Sequence, residues 1–240
     1  YVPSLMLNIR NFTFNLFQEV CTLLWDDTLE GAIVDPGCLG EAECSRLTDY
    51  IEDNGIKVRM ILLTHGHFDH IYGVPAMVEK FGVPVFMHPA DKVLLENNHL
   101  LSGVFGMPDA PRDFATKDIK EGDRLSFGKT EFEVIETPGH TPGCVCFYDR
   151  ADKLLISGDT LFAGSIGRTD SAWGDYDKEI VSIMDKIMGL DGDVAVIPGH
   201  GPRTDIGYER THNPFLQPFN EPDDDLNWDG EGISIDGDFQ

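Results

Sequence analysis

Residues 62–73 read LLTHGHFDHIYG and set His65, His67, Asp69 and His70 within six positions, directly after an apolar run. Imidazole nitrogen and carboxylate oxygen are the donors that suit a divalent zinc, iron or manganese ion. With no cysteine among these donors, a closed structural zinc site is disfavoured. Alternate side chains of an extended strand end share a face, so His65 and His67 can reach one point. Asp69 and His70 follow where a helix begins and can serve a second ion a few ångströms from the first.

Two further histidines stand in unusual surroundings. His140 lies in TPGHTPG and His200 in IPGHGP, each just after a strand-like run, FEVIET and VAVIP. Asp159, in LLISGDTLF, ends another such run. Proline restricts the backbone and glycine permits unusual dihedrals, so these loops can hold an imidazole in one direction, the preorganisation a metal site needs. Loops at strand exits converge on one edge of a layered α/β fold, where binding sites collect. His88, His99 and His212 have no such context and are expected to be ordinary hydrogen-bonded residues.

The elements that must position these groups follow from periodicity. Strand character recurs at about residues 7–14, 20–25, 31–35, 59–64, 83–87, 131–136, 144–148, 153–157 and 194–197. Helical spacing predicts helices near 42–54, 70–81, 90–98 and 177–188. This order predicts sheet layers covered by helices, an α/β arrangement. One domain is expected over residues 1–212, followed by a tail over 213–240. Residues 221–240 carry eight acids and neither Lys nor Arg, so the tail is expected to be extended. The chain opens on Tyr1, and Met6 is the expected natural start.

Composition excludes some partners. A net charge of −24 repels nucleic acid and anionic membrane surfaces alike. No run approaches the roughly 18 apolar residues of a membrane span, and Arg10 interrupts the apolar amino-terminal stretch that a secretory signal would need. The five cysteines form no CxxC pair and read as reduced thiols of a cytoplasmic protein. Cys144 and Cys146 flank Val145 and are expected to be small buried side chains on one strand face.

THGHFDH, TPGHTPG, SGDTLF and IPGHGP, in this order, resemble the metallo-β-lactamase superfamily over about residues 7–212. The resemblance implies a four-layer αββα sandwich with a dinuclear site at one edge of two packed sheets. It implies one ion on His65, His67 and His140, a second on Asp69, His70 and His200, and Asp159 with a hydroxide bridging them. An aspartate at 159, where many lactamases use cysteine, and His70 in the second ligand set look more like the glyoxalase II branch of thioester hydrolases. LFAGSIGRTD at 161–170 is similar both to the short glyoxalase II-like subgroup and to the persulfide dioxygenases. Full-length glyoxalase II enzymes hold glutathione with basic residues of a helical carboxy-terminal domain, and here no Lys or Arg follows Arg210.

The resemblance therefore implies a metal-dependent thioester hydrolase with two divalent ions, zinc first, iron or manganese as alternatives. The substrate is a small-molecule 2-hydroxyacyl thioester such as S-lactoyl-glutathione or a similar thiol conjugate. A thiolate, whose conjugate acid has a pKa of about 8.5, can leave unprotonated. An amide nitrogen needs a delivered proton, for which only water or Asp69, as a proton relay, offers itself, so β-lactam hydrolysis ranks lower. The alternative chemistry is a persulfide dioxygenase with one Fe²⁺ on His65, His140 and Asp159, a two-histidine, one-carboxylate arrangement. A non-catalytic binding protein is disfavoured by the intact ligand set. Arg168 offers a planar fork for a substrate carboxylate, or else an internal ion pair.

Overall fold

A computed structural model describes residues 7–217. Met6 and the acidic residues 221–240 lie outside the described residues. One sheet is ordered β1 (Asn8–Phe14), β2 (Glu19–Trp25), β3 (Glu30–Val34), β4 (Lys57–Leu62), β5 (Val85–Met87) and β6 (Thr116–Asp118). The second sheet is built from β7 (Arg124–Phe127), β8 (Thr130–Glu136), β9 (Val145–Asp149) and β10 (Leu154–Gly158). A small hairpin, β11 (Leu161–Phe162) and β12 (Ser165–Ile166), intervenes before β13 (Ala195–Pro198) and β14 (Thr204–Asp205) complete that sheet beside β10.

Side-chain alternation along these strands makes the layers. In β2, Cys21 and Leu23 face one side and Leu24 the other; in β3, Ile33 opposes Ala32 and Val34. Val145 and Phe147 of β9 likewise oppose Cys146 and Tyr148. Three buried clusters result. The first packs under α1 (Gly40–Asp53), α2 (Phe68–Ile71), α3 (Val74–Phe81) and α4 (Lys92–Val104). The second, with Leu24, Leu62, Phe132 and Phe147, lies between the sheets. The third packs under α5 (Tyr176–Ser182), the π-helical turn Ile183–Ile187 and α6 (Ile206–His212). Three cores separating four layers are the expected αββα sandwich, and each fully buried large side chain contributes about 1.5–3 kcal/mol.

Strand direction brings the loops together. β3, β4 and β5 run parallel, as do β10 and β13, and β8 lies two antiparallel steps from β10 and so runs the same way. The carboxyl ends of β3 and β4 therefore share one edge of the first sheet, and those of β8, β10 and β13 share one edge of the second. There the sheets are tied by Val145 N–H donating to Thr64 O (2.8 Å) and Val20 N–H to Gly199 O (2.8 Å).

Several elements differ from the periodicity. The helix expected over 70–81 begins earlier and is two pieces, α2 and α3, so Asp69 and His70 lie inside a helix. The break falls at Gly73, where an added Cβ would sit 2.1 Å from Cys38 Sγ, and Pro75 follows at the start of α3. The short edge strands β6 and β14 are three and two residues long, too brief to show a period. Asn213 and Leu216 are buried, and Leu216 belongs to the third core, so the first residues of the expected tail pack onto the domain.

Candidate metal centre

The structure brings His65, His67, Asp69, His70, His140, Asp159 and His200 to this shared edge. His65 follows β4, His140 follows β8, Asp159 directly follows β10 and His200 follows β13, while α2 carries Asp69 and His70. The donor atoms of His65, His67 and His140 lie within 4.8 Å of one another, and so do those of Asp69, His70 and His200. Asp159 lies between the groups. Its Oδ2 is 3.5 Å from His140 Nε2, 3.5 Å from His200 Nε2 and 3.9 Å from His65 Nε2, and its Oδ1 is 3.5 Å from His70 Nε2. Donors about 2.1 Å from a tetrahedral ion are about 3.4 Å apart, which is the spacing found here.

The ring protons decide what fits inside. His70 Nδ1 faces Asp35 Oδ2 at 3.0 Å, His140 Nδ1 faces Arg168 O at 2.7 Å and His200 Nδ1 faces Phe17 O at 3.0 Å. Each partner is an acceptor, so each Nδ1 carries a proton and each Nε2 points inward, where it offers a lone pair in the neutral ring. Thr64 Oγ1 donates to Asp35 Oδ2 (2.5 Å) and therefore accepts from His65 Nδ1 (3.0 Å). His65 Nε2 and Asp159 Oδ1 are buried without a hydrogen-bond partner among the described residues. Facing lone pairs and orphaned acceptors call for cations, so this donor set fits divalent metal ions.

Electrostatics agree. Burial, then His70, holds His65 well below the usual imidazole range, and burial with His140 holds His67 down to about 3. Both are neutral, as metal ligands must be. Burial opposes the charge on Asp159, yet His70 and the other surrounding imidazoles bring it well below the usual carboxylate range. His70 differs: burial pushes down, but Asp159 and Asp69 win and raise it, so a bound ion would have to displace the proton on its Nε2.

The supporting carboxylates went unread in the sequence. Asp35 directly follows β3 and bonds both His70 and Thr64; its place just past a strand, in IVDPG, hints at the edge but not at its partners. Asp91 ties the two histidine loops together. It accepts from Gly66 N (2.8 Å), Thr141 Oγ1 (2.8 Å) and Gly143 N (2.6 Å). Glu179 Oε2 accepts from His140 N at 2.7 Å, and burial pushes this carboxyl up to about 8. A charged residue one turn before Ile183 and Ile187, on the apolar stripe of the helix, was its signal.

The three remaining histidines do stand apart. His88 bonds Glu136, His99 lies on the exposed side of α4, and His212 stacks on Tyr208. Arg168 forms an ion pair with Asp170, Nε to Oδ1 at 2.8 Å and Nη2 to Oδ2 at 3.1 Å, and its carbonyl orients His140. It also borders a cavity of about 580 Å³ that opens onto His67, Asp69, Asp159 and His200. Most of the cavity wall is apolar, with Phe17, Phe68 and Phe105 packed edge to face or tilted. No helix among the described residues is long and apolar enough to cross a membrane.

A four-layer sandwich with histidine and aspartate clusters at one sheet edge defines a class, and the chain belongs to the metallo-β-lactamase superfamily, whose family model matches residues 15–200. It is a metallohydrolase. It is similar to the hydroxyacylglutathione hydrolase GloC of Haemophilus influenzae, 40% identical over 88% of this chain and 98% of that one. Among solved structures it is similar to the BLEG-1 B3 metallo-β-lactamase (TM-score 0.81, 36% identity, 87% of this chain and 99% of that one). It is also similar to TTHA1623 in a di-iron-bound form (TM-score 0.77, 36% identity, 86% of this chain and all of that one).

Proposed function

We propose that the protein is a glyoxalase II-like thioester hydrolase with a dinuclear site. His65, His67 and His140 would hold one ion, Asp69, His70 and His200 would hold the other, and Asp159, between the two groups, would serve both. The observation that carries this reading is the convergence of ring nitrogens from both histidine groups on either side of Asp159. When bound, two divalent ions, zinc first and iron or manganese as alternatives, supply hydroxide at neutral pH and polarise a carbonyl.

The chain's residues do the rest. Asp35, Thr64, Phe17 and Arg168 fix the imidazoles through their outer nitrogens, which sets tautomer and direction. Asp69 Oδ2, 3.4 Å from His200 Nε2 and at the cavity floor, is placed to take a proton and pass it on. Phe17, Phe68 and Phe105 keep water from the acyl group. A thiolate leaves without a proton donor, and the cavity presents no Lys among the described residues. This ranks thioester above β-lactam hydrolysis. The similarity to GloC supports a hydroxyacyl thioester as the substrate.

The test is metal stoichiometry on protein purified without added metal or chelator, followed by hydrolysis of S-lactoyl-glutathione. Two ions per chain with thioester turnover supports the reading. One iron per chain, with oxygen consumed in the presence of a persulfide and no thioester cleavage, transfers the assignment to the dioxygenase.

A further inference from the structure

Cys38 and Cys44 belong to no part of this site, yet they are paired. Their Sγ atoms are 3.0 Å apart, closer than two sulfurs in ordinary contact and only about 1 Å beyond a disulfide bond. Cys38 is buried, just before α1, while Cys44 in the first turns of α1 is partly exposed. A small oxidant therefore reaches Cys44 first. The Cys38 thiol beside it holds Cys44 below the ordinary thiol range, against the opposing effects of burial and Glu43. That is the pattern of an attacking thiol with a resolving thiol behind it.

The pair also touches the frame of the metal centre. Cys38 Sγ fills the notch at Gly73, between α2 and α3. Gly73 N donates to Pro36 O (2.7 Å), and the Asn15 side-chain amide donates both to Gly37 O (3.0 Å) and to Asp69 O (2.9 Å). Asp35, which orients His70, begins the same segment.

We propose that Cys38 and Cys44 are a hydroperoxide-oxidisable dithiol site, whose reversible disulfide shifts residues 35–38 and loosens metal retention at His70. The Cys44 thiolate attacks a hydroperoxide oxygen, the O–O bond breaks, and the hydroperoxide leaves as alcohol or water. The resulting Cys44 sulfenic acid is attacked by Cys38 sulfur; the S–O bond breaks, and hydroxide departs with the Cys38 proton as water. Two thiols lose two electrons and two protons, and one hydroperoxide is reduced. Forming the bond draws Cys38 Sγ toward α1 and out of the Gly73 notch.

The experiment treats the metal-loaded full-length chain with hydrogen peroxide, blocks free thiols by alkylation, and cleaves after glutamate. Glu41 and Glu43 separate the two cysteines, and Glu30 separates both from Cys21. The expected product is peptide 31–41 joined to peptide 44–52, two hydrogens lighter than the sum of the thiols and released by reductant. Cys38→Ser and Cys44→Ser abolish the link, whereas Cys21→Ser leaves it. Alkylation of both cysteines after treatment overturns the site. So does sulfinic or sulfonic acid at Cys44 with Cys38 still alkylated, or linkage to another cysteine or another chain. In the crosslinked protein, transfer of metal to a chelator is expected to quicken by about tenfold, the scale of a disturbed outer partner. Equal transfer from linked and reduced protein overturns the coupling to the metal centre.

Discussion

His70 Nε2 and His200 Nε2 face each other at 3.2 Å, with the opposite ring nitrogens committed to Asp35 and to the carbonyl of Phe17. Without metal a proton on His70 Nε2 fills this gap, since, against burial, Asp159 and Asp69 raise the His70 pKa, and a divalent ion would take that proton's place. Stripping the protein with a chelator is therefore expected to lower its melting temperature. Returning metal to about 100 times its Kd should restore about 2.7 kcal/mol. Identical melting curves with and without metal would remove the proposed centre.

Asp35 has φ of 48°, in the left-handed region that asparagine also tolerates. Asp35→Asn thus preserves the backbone and tests the carboxylate alone. His70 and Thr64 both donate to that carboxylate. Metal affinity is expected to fall 10- to 100-fold, roughly the cost of a lost outer partner. Competition with a chromogenic chelator measures it, and wild-type affinity would show that His70 needs no orienting group.

Asp91 carries no expected metal, yet it closes the loops of His65–His67 and of His140 with three hydrogen bonds. Asp91→Ala leaves the buried Gly66 and Gly143 amides without an acceptor and the Thr141 hydroxyl with only Cys144 Sγ, so a loss of about 2 kcal/mol or more is expected in denaturant titration. Asp91→Asn, which retains one acceptor oxygen, should fall between. A loss under about 0.5 kcal/mol, the level of an ordinary surface substitution, would contradict the clamp.

Asp26 joins the turn after β2 to the β7–β8 turn, accepting from Thr28 N (2.9 Å), Thr28 Oγ1 (2.5 Å) and Lys129 N (2.5 Å). Burial alone would raise its pKa, but the Thr28 hydroxyl and the Lys129 amide overcome this and leave it lowered. Its unfolded form, near 3.9, then takes up a proton first as pH falls. Stability from this residue is present above that pH and lost as pH drops through the folded value. Metal-free Asp26→Asn protein should be about 1–2 kcal/mol less stable at pH 7 and show a shallower loss below about pH 4. Parallel pH curves for both proteins would refute it.

Arg168 has a partner in Asp170, but both side chains are exposed and Arg168 lines the cavity, so a substrate carboxylate is expected to compete with Asp170. Arg168→Ala is expected to raise KM severalfold for a carboxylate-bearing thioester, with kcat little changed, because the His140 contact uses the backbone carbonyl. An unchanged KM would confine Arg168 to its ion pair.

The clustered histidines and aspartates were legible because their chemistry is local. THGHFDH, TPGH and PGHG set donors at strand ends, and the strands themselves show in apolar runs. The helix over 70–81 was misread as continuous because its break depends on Cys38, whose sulfur occupies the space at Gly73. Asp35 and Asp91 were silent for a similar reason. Each is a single acid in a chain with 42 acids, and neither has a neighbour in sequence that reveals its partners.

By itself the sequence determined which donors exist, on which strand ends they sit and that sheet layers are covered by helices, because hydrophobic period and ligand chemistry are written residue by residue. Only the tertiary structure decided that Asp35 orients His70, that Asp91 clamps two loops and that Cys38 meets Cys44 beside the helix that carries Asp69 and His70. Those relations depend on distances across the fold and on which ring nitrogen carries the proton, and both are set by packing rather than by order along the chain.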